Sequence, residues 1–283
     1  MPHGVNTVTD WNTLAEQSLA GQEISRDDAR AVLAAPDAAL LEQLTAAYRV
    51  RSRYHGNRVR LHMLLNAQSG LCPEDCGYCS QSSVSAAEID KYPMLAREKI
   101  LAAAARADEL KAGTFCLVIS GRSPGQRVLD KVLDALREVK TRHELHVCTC
   151  LGLLSDTQVR QLEDAGVDQV NHNLNSSERF TSNIVSTHTF GDRKATVERV
   201  ANTGMKTCSG GIIGMGESAD DRCEMLRTLA NLDPQPESVP INALVPVEGT
   251  PLANAKPVDP FDLVRMIAIA RILMPMSRVR LSA

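Results

Sequence analysis

Residues 72–79 have the sequence CPEDCGYC, with Cys72, Cys76 and Cys79 at spacings of four and three residues. The segment follows an apolar run, VRLHMLLNA at 59–67, which predicts a buried strand. In a (β/α) barrel, the loops that follow the strands form the face that carries the active site. We therefore expect the three cysteines at the carboxyl end of a parallel sheet, where they can belong to a functional site.

Short apolar segments alternate with longer amphipathic segments through the rest of the chain. Further strands are predicted at 114–120, 144–152, 169–174, 205–213, 238–245 and 278–283, and helices at 94–112, 125–141, 155–165, 190–203, 217–231 and 259–274. Strands that alternate with helices of this length indicate parallel βαβ units. Six such crossovers favour a TIM-type (β/α) barrel over a doubly wound sheet. Seven of the eight barrel strands are predicted in this chain.

The first 58 residues have a different pattern, which predicts helices. Ser25 is followed three residues later by Asp28, the spacing of a capping box, and residues 38–54 have helical periodicity without a breaker. We therefore expect an N-terminal helical cap at 1–58 and a barrel domain at 59–283.

Composition and charge limit the possible classes of function. The chain has 31 Lys and Arg, 34 Asp and Glu and no block of like charge, so no nucleic-acid or membrane-surface partner is expected. The first 25 residues lack a secretory signal, and the apolar segment at 262–276 is too short to span a bilayer. A cytoplasmic protein is predicted, in which the eight cysteines are thiols, metal ligands or core residues rather than disulfides.

Three close cysteines leave several kinds of site open. A structural zinc site usually pairs two close-set cysteine couples, but the next cysteine, Cys116, lies 37 residues beyond Cys79. A redox dithiol needs only Cys76 and Cys79 and leaves Cys72 unexplained. Three thiolates on a four-iron cluster leave one iron without a protein ligand, where a small molecule can bind. Spacing favours the cluster over zinc, and zinc over core or redox cysteines.

The CxxxCxxC spacing is the signature of the radical S-adenosylmethionine (SAM) superfamily, and other segments narrow the resemblance. These segments are LNAQSGLCPEDCGYCSQS (65–82), VNHNLNSS (170–177), CSGGIIGMGE (208–217), SVPINALVPVEGTPLA (238–253) and VRLSA (279–283). Together they resemble the biotin synthase family, from about residue 30 to the last residue.

The resemblance implies two clusters and a radical reaction. A [4Fe-4S] cluster on Cys72, Cys76 and Cys79 would bind SAM and, once reduced, cleave it to a 5′-deoxyadenosyl radical that removes hydrogen from dethiobiotin. A [2Fe-2S] cluster would supply the sulfur that closes the ring of biotin, and its implied ligands are Cys116, Cys148, Cys208 and Arg280. A small electron-transfer protein as reductant and a homodimer are also implied.

The strand cysteines have a simpler alternative, because free cysteine also packs as a small buried hydrophobe. Cys150 shares a strand face with Cys148, so the residues alone leave open which of the two is a ligand, although the resemblance favours Cys148. Cys223 lies on a predicted outer helix, where we expect it to pack without a ligand role.

The resemblance also implies contacts to the cofactor and the substrate. Tyr78 and Ile212 would meet the adenine, and Glu217 completes the superfamily pattern GxIxGxxE that begins at Gly210. Asn171, Asn173 and Asn175 lie on one face of the predicted fourth strand and would bind the ureido ring and ribose hydroxyls, together with a ureido contact from Asn242. We expect His172 to point outward and to be satisfied there. The chain departs from the family at Asn175, where many relatives carry Asp, and at Gln68, where Lys is expected.

Two rival functions remain open. One is another radical SAM barrel enzyme, of the hydrogenase-maturation or methylornithine-synthase type, against which the strand cysteines, Arg280 and the VPIN segment argue. The other is a non-catalytic zinc or iron–sulfur protein. Because biotin synthases continue past the seventh strand, we further expect a barrel truncated before its eighth strand, which would bind dethiobiotin poorly and tend to aggregate through its unpaired edges.

Overall fold

The structure is a computed structural model that describes residues 10–281. Its strands are β1 His62–Gln68, β2 Thr114–Ile119, β3 His146–Cys150, β4 Gln169–Asn171, β5 Lys206–Cys208, β6 Gly211–Ile213, β7 Ser238–Ala243 and β8 Arg278–Arg280. Its helices are α1 Trp11–Leu19, α2 Arg26–Ala34, α3 Leu40–His55, α4 Arg97–Glu109, α5 Gln126–Arg142, α6 Asp156–Asp164, α7 Glu178–Thr181, α8 Phe190–Ala201, α9 Ala219–Ala230 and α10 Pro260–Leu273, with a 3-10 turn at Asp37–Ala39.

The strands form one parallel sheet of the (β/α) barrel type, as predicted. Its order is β1-β2-β3-β4-β5-β7, and both β6 and β8 also pair with β7. Within residues 10–281, β1 pairs only with β2 and β8 only with β7, so no backbone ladder closes the sheet between β1 and β8. A side-chain contact crosses this gap, because Arg280 Nη1 lies 3.0 Å from His62 Nδ1.

Two predicted strands differ from the structure. The segment at 205–213 is not one strand but two, β5 and β6, separated by Ser209 and Gly210. At Gly210 the backbone approaches β7 so closely that a Cβ atom would lie 1.9 Å from the carbonyl oxygen of Pro240. The strand predicted at 169–174 ends at Asn171, because Asn175 adopts a left-handed backbone conformation with φ of 70°.

The core follows the periodicity of the sequence. Helix α5 buries Leu129, Val132, Leu136 and Val139 on one face, at the three- and four-residue spacing of an amphipathic helix. These side chains pack in the same apolar cluster as strand residues such as Phe115, which is fully buried. The burial of this helix face holds the helices against the outer side of the sheet.

The N-terminal helices pack against the last two helices. Side chains of α1, α2 and α3 share one buried cluster with α9 and α10, including Trp11, Val32, Val50, Leu226 and Ile269. As predicted, Ser25 caps α2, and its hydroxyl accepts a hydrogen bond of 3.0 Å from the backbone N–H of Asp28. Among residues 10–281, no helix combines the length and the apolar character needed to cross a membrane.

Candidate functional site

The CPEDCGYC loop follows β1 and is fixed by backbone hydrogen bonds to two other loops. The N–H of Gly77 donates to the carbonyl of Ile184 at 2.8 Å, and the carbonyl of Gly77 accepts from the N–H of Leu252 at 3.2 Å. Within the loop, the N–H of Cys79 donates to the carbonyl of Cys76 at 3.1 Å. Cys76 is buried, whereas Cys72 and Cys79 are partly exposed. The structure therefore holds the three thiols together in a loop with tertiary supports.

The two acidic residues between the cysteines tie the loop to residues 186–188. The Asp75 carboxylate accepts from the backbone N–H groups of Ser186 at 2.9 Å and Thr187 at 3.2 Å. The Glu74 carboxylate accepts from the hydroxyl of Thr187 at 2.6 Å and from Arg122 Nη1 at 3.0 Å. Both carboxylates have charged or backbone partners, and they therefore support the loop.

A chain of side chains leads from Glu74 to the end of β4. Glu74 also bonds His188 Nδ1, and Arg193 Nε donates to His188 Nε2 at 2.8 Å. Because arginine can only donate, His188 accepts at Nε2 and carries its proton on Nδ1, which then donates to Glu74. Burial and the charge of Arg193 lower the pKa of His188, which favours this neutral form. Arg193 Nη1 donates to the carbonyl of Asn173 at 3.0 Å.

Arg193 is a cation whose charge acts on Cys76, and no sequence motif marked it. Burial raises the pKa of Cys76 to about 11, and the charge of Arg193 opposes this shift. Arg193 lies in the first turns of α8, where the helix dipole disfavours a cation. That unfavourable placement was the sequence signal that could have identified it, since such a residue needs a compensating tertiary contact or ligand.

The strand cysteines lie inside the barrel. Cys116 on β2 and Cys148 on β3 are register partners, and their thiols hydrogen-bond each other. That hydrogen bond and burial raise the pKa of Cys148 well above its ordinary value. Cys208 on β5 accepts hydrogen bonds from Asn171 Nδ2 at 3.0 Å and from Arg280 Nη2 at 3.1 Å. The structure thus brings together the four residues to which the resemblance assigned a second cluster.

Arg280 is coupled electrostatically to all three of these thiols. Burial lowers the pKa of Arg280, but Cys208, Cys148 and Cys116 together outweigh burial and raise it. In this state Arg280 is a hydrogen-bond donor without a lone pair to offer. Three sulfur atoms beside one fixed cation form a donor set that suits an iron–sulfur cluster better than a hard cation.

The two remaining cysteines have different surroundings. Cys150 lies two residues beyond Cys148, opposite Val118 in the ladder. Burial and the neighbouring Cys116 and Cys208 raise the pKa of Cys150 to about 12, so Cys150 is close to the same cluster of thiols. Cys223 is buried on α9, and its thiol contacts the carbonyl of Arg26 at 3.7 Å.

The spacing of the cysteines suits a cluster of several irons rather than a single metal ion. In the described residues, no three His, Cys, Asp or Glu side chains are arranged to hold one metal ion. A cluster contains several irons and spaces its thiolates more widely than a single ion does.

The segment Asn171–Asn175 lies between the two groups of cysteines. Asn173 Oδ1 accepts from Asn171 Nδ2 at 3.2 Å and from the N–H of Gly210 at 3.1 Å. Asn175 Nδ2 donates to the hydroxyl of Tyr78, in the cysteine loop. The expectation that all three amides share one strand face is wrong in detail, because only Asn171 belongs to β4. His172 is buried, and its Nε2 has no hydrogen-bond partner within residues 10–281. The expectation that the His172 side chain is satisfied is therefore wrong for this nitrogen.

Asn175 forms hydrogen bonds with both residues that are predicted to contact the adenine, Tyr78 and Ile212. The N–H of Ile212 donates to the carbonyl of Asn175 at 2.9 Å, and Ile212 and Tyr78 pack against the same apolar cluster. Asn242 on β7 is the ladder partner of Ile212. These four residues therefore lie around one end of the barrel. Gln68, at the position where the family is expected to carry Lys, contacts the backbone, since its Nε2 donates to the carbonyl of Ser120 at 2.9 Å.

Glu217 closes the turn between β6 and α9. Its carboxylate accepts from the N–H groups of Gly214 and Met215, both at 2.8 Å, and from Arg222 Nε at 2.7 Å. Residues 214–217 line part of a cavity of about 550 Å³, and residues 251, 252 and 254–259 line another part. Glu217 thus shapes the backbone beside Ile212.

Comparison with known proteins defines the class. The model of the radical SAM superfamily matches residues 69–229. The fold is similar to that of methylornithine synthase, with a TM-score of 0.83 and 19% identity over 94% of this chain and 78% of that one. The FeFe-hydrogenase maturase HydG from Carboxydothermus hydrogenoformans also has a TM-score of 0.83, at 17% identity over 96% and 65% of the two chains. The chain is a radical SAM barrel protein, a class that implies a [4Fe-4S] cluster and SAM.

Curated relatives identify the family within this class. Biotin synthase from Geobacillus kaustophilus (strain HTA426) is 45% identical over 97% of this chain and 82% of its own length. Biotin synthase from Bacillus subtilis (strain 168) is 42% identical over the same shares. The model of the Biotin and Thiamin Synthesis associated domain matches residues 240–283. The chain belongs to the biotin synthase family, as the motifs predicted.

Proposed function

We propose that this chain converts dethiobiotin to biotin by radical SAM chemistry. One observation carries the proposal: the segment Asn171–Asn175 contacts both groups of cysteines. Asn171 reaches Cys208 among the strand cysteines, and Asn175 reaches Tyr78 in the cysteine loop. A substrate bound to this segment would lie between a radical source and a sulfur source, as sulfur insertion at unactivated carbons requires.

Cys72, Cys76 and Cys79 would hold the [4Fe-4S] cluster. With SAM bound and one electron added, this centre supplies a 5′-deoxyadenosyl radical. Tyr78, Ile212 and Asn175 are grouped where they can contact the adenosine, and Glu217 fixes the neighbouring backbone. Arg193 points from α8 to Asn173 and carries the positive charge beside Cys76. A guanidinium there suits the carboxylate of a methionine moiety.

Cys116, Cys148, Cys208 and Arg280 would hold the [2Fe-2S] cluster, which supplies sulfur. Asn171, Asn173 and Asn242 would bind the ureido ring, since an amide both donates to its carbonyl and accepts from its N–H groups. Tyr78, Ile212 and Leu252 pack against one apolar cluster, which would limit the access of water to the reacting carbons.

The first experiment tests the radical source. Cys76→Ala should abolish 5′-deoxyadenosine formation in anaerobic protein reduced by dithionite, because one of three ligands is lost. Cys223→Ala is the matched control, a buried cysteine on α9 that should retain cleavage. Cleavage retained by a verified Cys76→Ala preparation would refute this assignment.

The second experiment separates the two clusters. Cys208→Ala should lose biotin formation and keep the four-iron signals in Mössbauer spectra. A normal yield of biotin from this variant would mean that the strand cysteines only pack. The small electron-transfer protein as reductant, the homodimer and a cytoplasmic location stay predictions.

A further inference from the structure

A polar layer lies beneath the strand cysteines inside the barrel. His62 on β1, Thr114 on β2 and His146 on β3 are register partners in adjacent strands. Alternate residues of a strand share a face, so these side chains lie on the same face as Cys116 and Cys148, which are two residues further along β2 and β3. The separation along the strands is about 7 Å.

One member of this layer contacts Arg280. Arg280 Nη1 lies 3.0 Å from His62 Nδ1, and Arg280 Nη2 lies 3.1 Å from Cys208 Sγ. Because the guanidinium can only donate, His62 Nδ1 is the acceptor and the imidazole carries its proton on Nε2. Arg280 Nε is buried and has no hydrogen-bond partner among the described residues. The guanidinium is therefore oriented through its two terminal nitrogens, by a sulfur on one side and an imidazole on the other.

The Arg280 side chain depends on these two contacts for its orientation, because the sheet supports Arg280 on one side only. It lies on β8, which has no ladder with β1 in the part of the chain that the structure describes, so the strand backbone fixes only one side of it. Arginine has a long side chain whose many rotamers cost free energy to restrict. Its planar fork recognises a partner only in a defined orientation.

We propose that His62 is a positioning residue, which accepts a hydrogen bond from Arg280 Nη1 and so holds Nη2 toward Cys208. This role rests on the proposed function, because it concerns the [2Fe-2S] ligand set. His146 provides a contrast: it lies in the same layer, yet its Nδ1 is buried without a hydrogen-bond partner in residues 10–281.

The test compares three variants of the reconstituted holoenzyme. His62→Leu removes the acceptor, His62→Asn retains one, since the amide oxygen can take the place of Nδ1, and His146→Leu is the control. The readouts are the two-iron and four-iron components of the Mössbauer spectrum and the iron–sulfur bands in resonance Raman. We expect His62→Leu to shift the two-iron bands and to lose that component roughly tenfold faster, which equals about 1.4 kcal/mol. The four-iron component should not change.

His62→Asn and His146→Leu should match the unmodified protein. Combining His62→Leu with Arg280→Met should add no further spectral shift to Arg280→Met alone, since the histidine acts through the arginine. An unchanged two-iron cluster in His62→Leu, or an additional shift in the Arg280→Met background, would overturn the role of His62. Absence of any two-iron component from the unmodified protein would instead refute the proposed function. The two failures are therefore distinguishable.

Discussion

Gly210 is the position where the smallest substitution should do the most damage to the candidate site. A Cβ atom there would lie 1.9 Å from the carbonyl oxygen of Pro240, whereas real Cβ contacts essentially never fall below 3.0 Å. The obstacle is backbone of β7, which cannot rotate away as a flexible side chain would. Gly210→Ala must therefore push β5 and β6 away from β7 by about 1 Å, an overpacking that costs about 1–3 kcal/mol.

The same displacement breaks hydrogen bonds to the central segment. The N–H of Gly210 donates to Asn173 Oδ1 at 3.1 Å, and its carbonyl accepts from the N–H of Asn175 at 3.0 Å. Each such bond contributes about 0.5–1.5 kcal/mol, so the expected loss of unfolding free energy, with the overpacking included, is about 2–6 kcal/mol. At about 2–4 °C per kcal/mol for a large domain, the melting temperature should fall by roughly 4–24 °C. SAM affinity should fall as well, because Asn175 supports Ile212.

The assay is a thermal melt followed by circular dichroism, together with equilibrium binding of SAM to the anaerobic protein. Gly191→Ala is the control, since its Cβ would meet no atom closer than 3.6 Å and the residue lies within α8. Alanine at a helical position should stabilise by up to about 1 kcal/mol. An unchanged melting temperature for Gly210→Ala would show that β7 yields freely and refute the reasoning.

Two further predictions concern acid stability and the assignment of a ligand. Burial raises the pKa of Asp221, but hydrogen bonds, first from Ser218, outweigh it and hold the pKa at about 2, below the ordinary 3.8. This carboxylate therefore contributes about 2 kcal/mol to the free energy of unfolding above pH ~4, and the contribution is lost as pH falls toward 2. Asp221→Asn should therefore reduce the difference between the urea midpoints measured at pH 6 and at pH 3. Cys148→Ala should lose the two-iron Mössbauer component and Cys150→Ala should keep it; the reverse result would exchange the two assignments.

The barrel could be predicted from sequence because its elements are encoded locally. Apolar residues at helical spacing defined α5, and short apolar runs defined strands such as β2, whose burial is nearly complete. The break between β5 and β6 could not be predicted, since it depends on the approach of Pro240, some 30 residues away along the chain. The same holds for Asn175, whose left-handed conformation is supported by a parallel bridge to Gly211.

The candidate site was predictable only where a family motif marks it. The cysteines, the asparagines and the GxIxGxxE segment lie in such motifs, but the supports of the cysteine loop do not. Glu74 and His188 are 114 residues apart, and their contact exists only in the folded chain. Arg193 reaches the site through His188 and Asn173, so its role depends on two further tertiary contacts. Sequence patterns identify ligands more readily than the residues that orient them.

The segment Asn171–Asn175 contacts both groups of cysteines, and its geometry suits the proposed use of both groups in one reaction. In the proposed reaction, hydrogen removal and sulfur insertion would act on the same carbons, so the two sources would have to keep a separation that varies by no more than about 0.5 Å. Each end of the segment is fixed by a different cysteine group, through Cys208 and Tyr78, and its middle is fixed by Arg193 and Gly210. A five-residue segment held at both ends and in the middle has little freedom to lengthen. On the proposed function, it would therefore act as the spacer between the two clusters and align the substrate contacts that it carries with both.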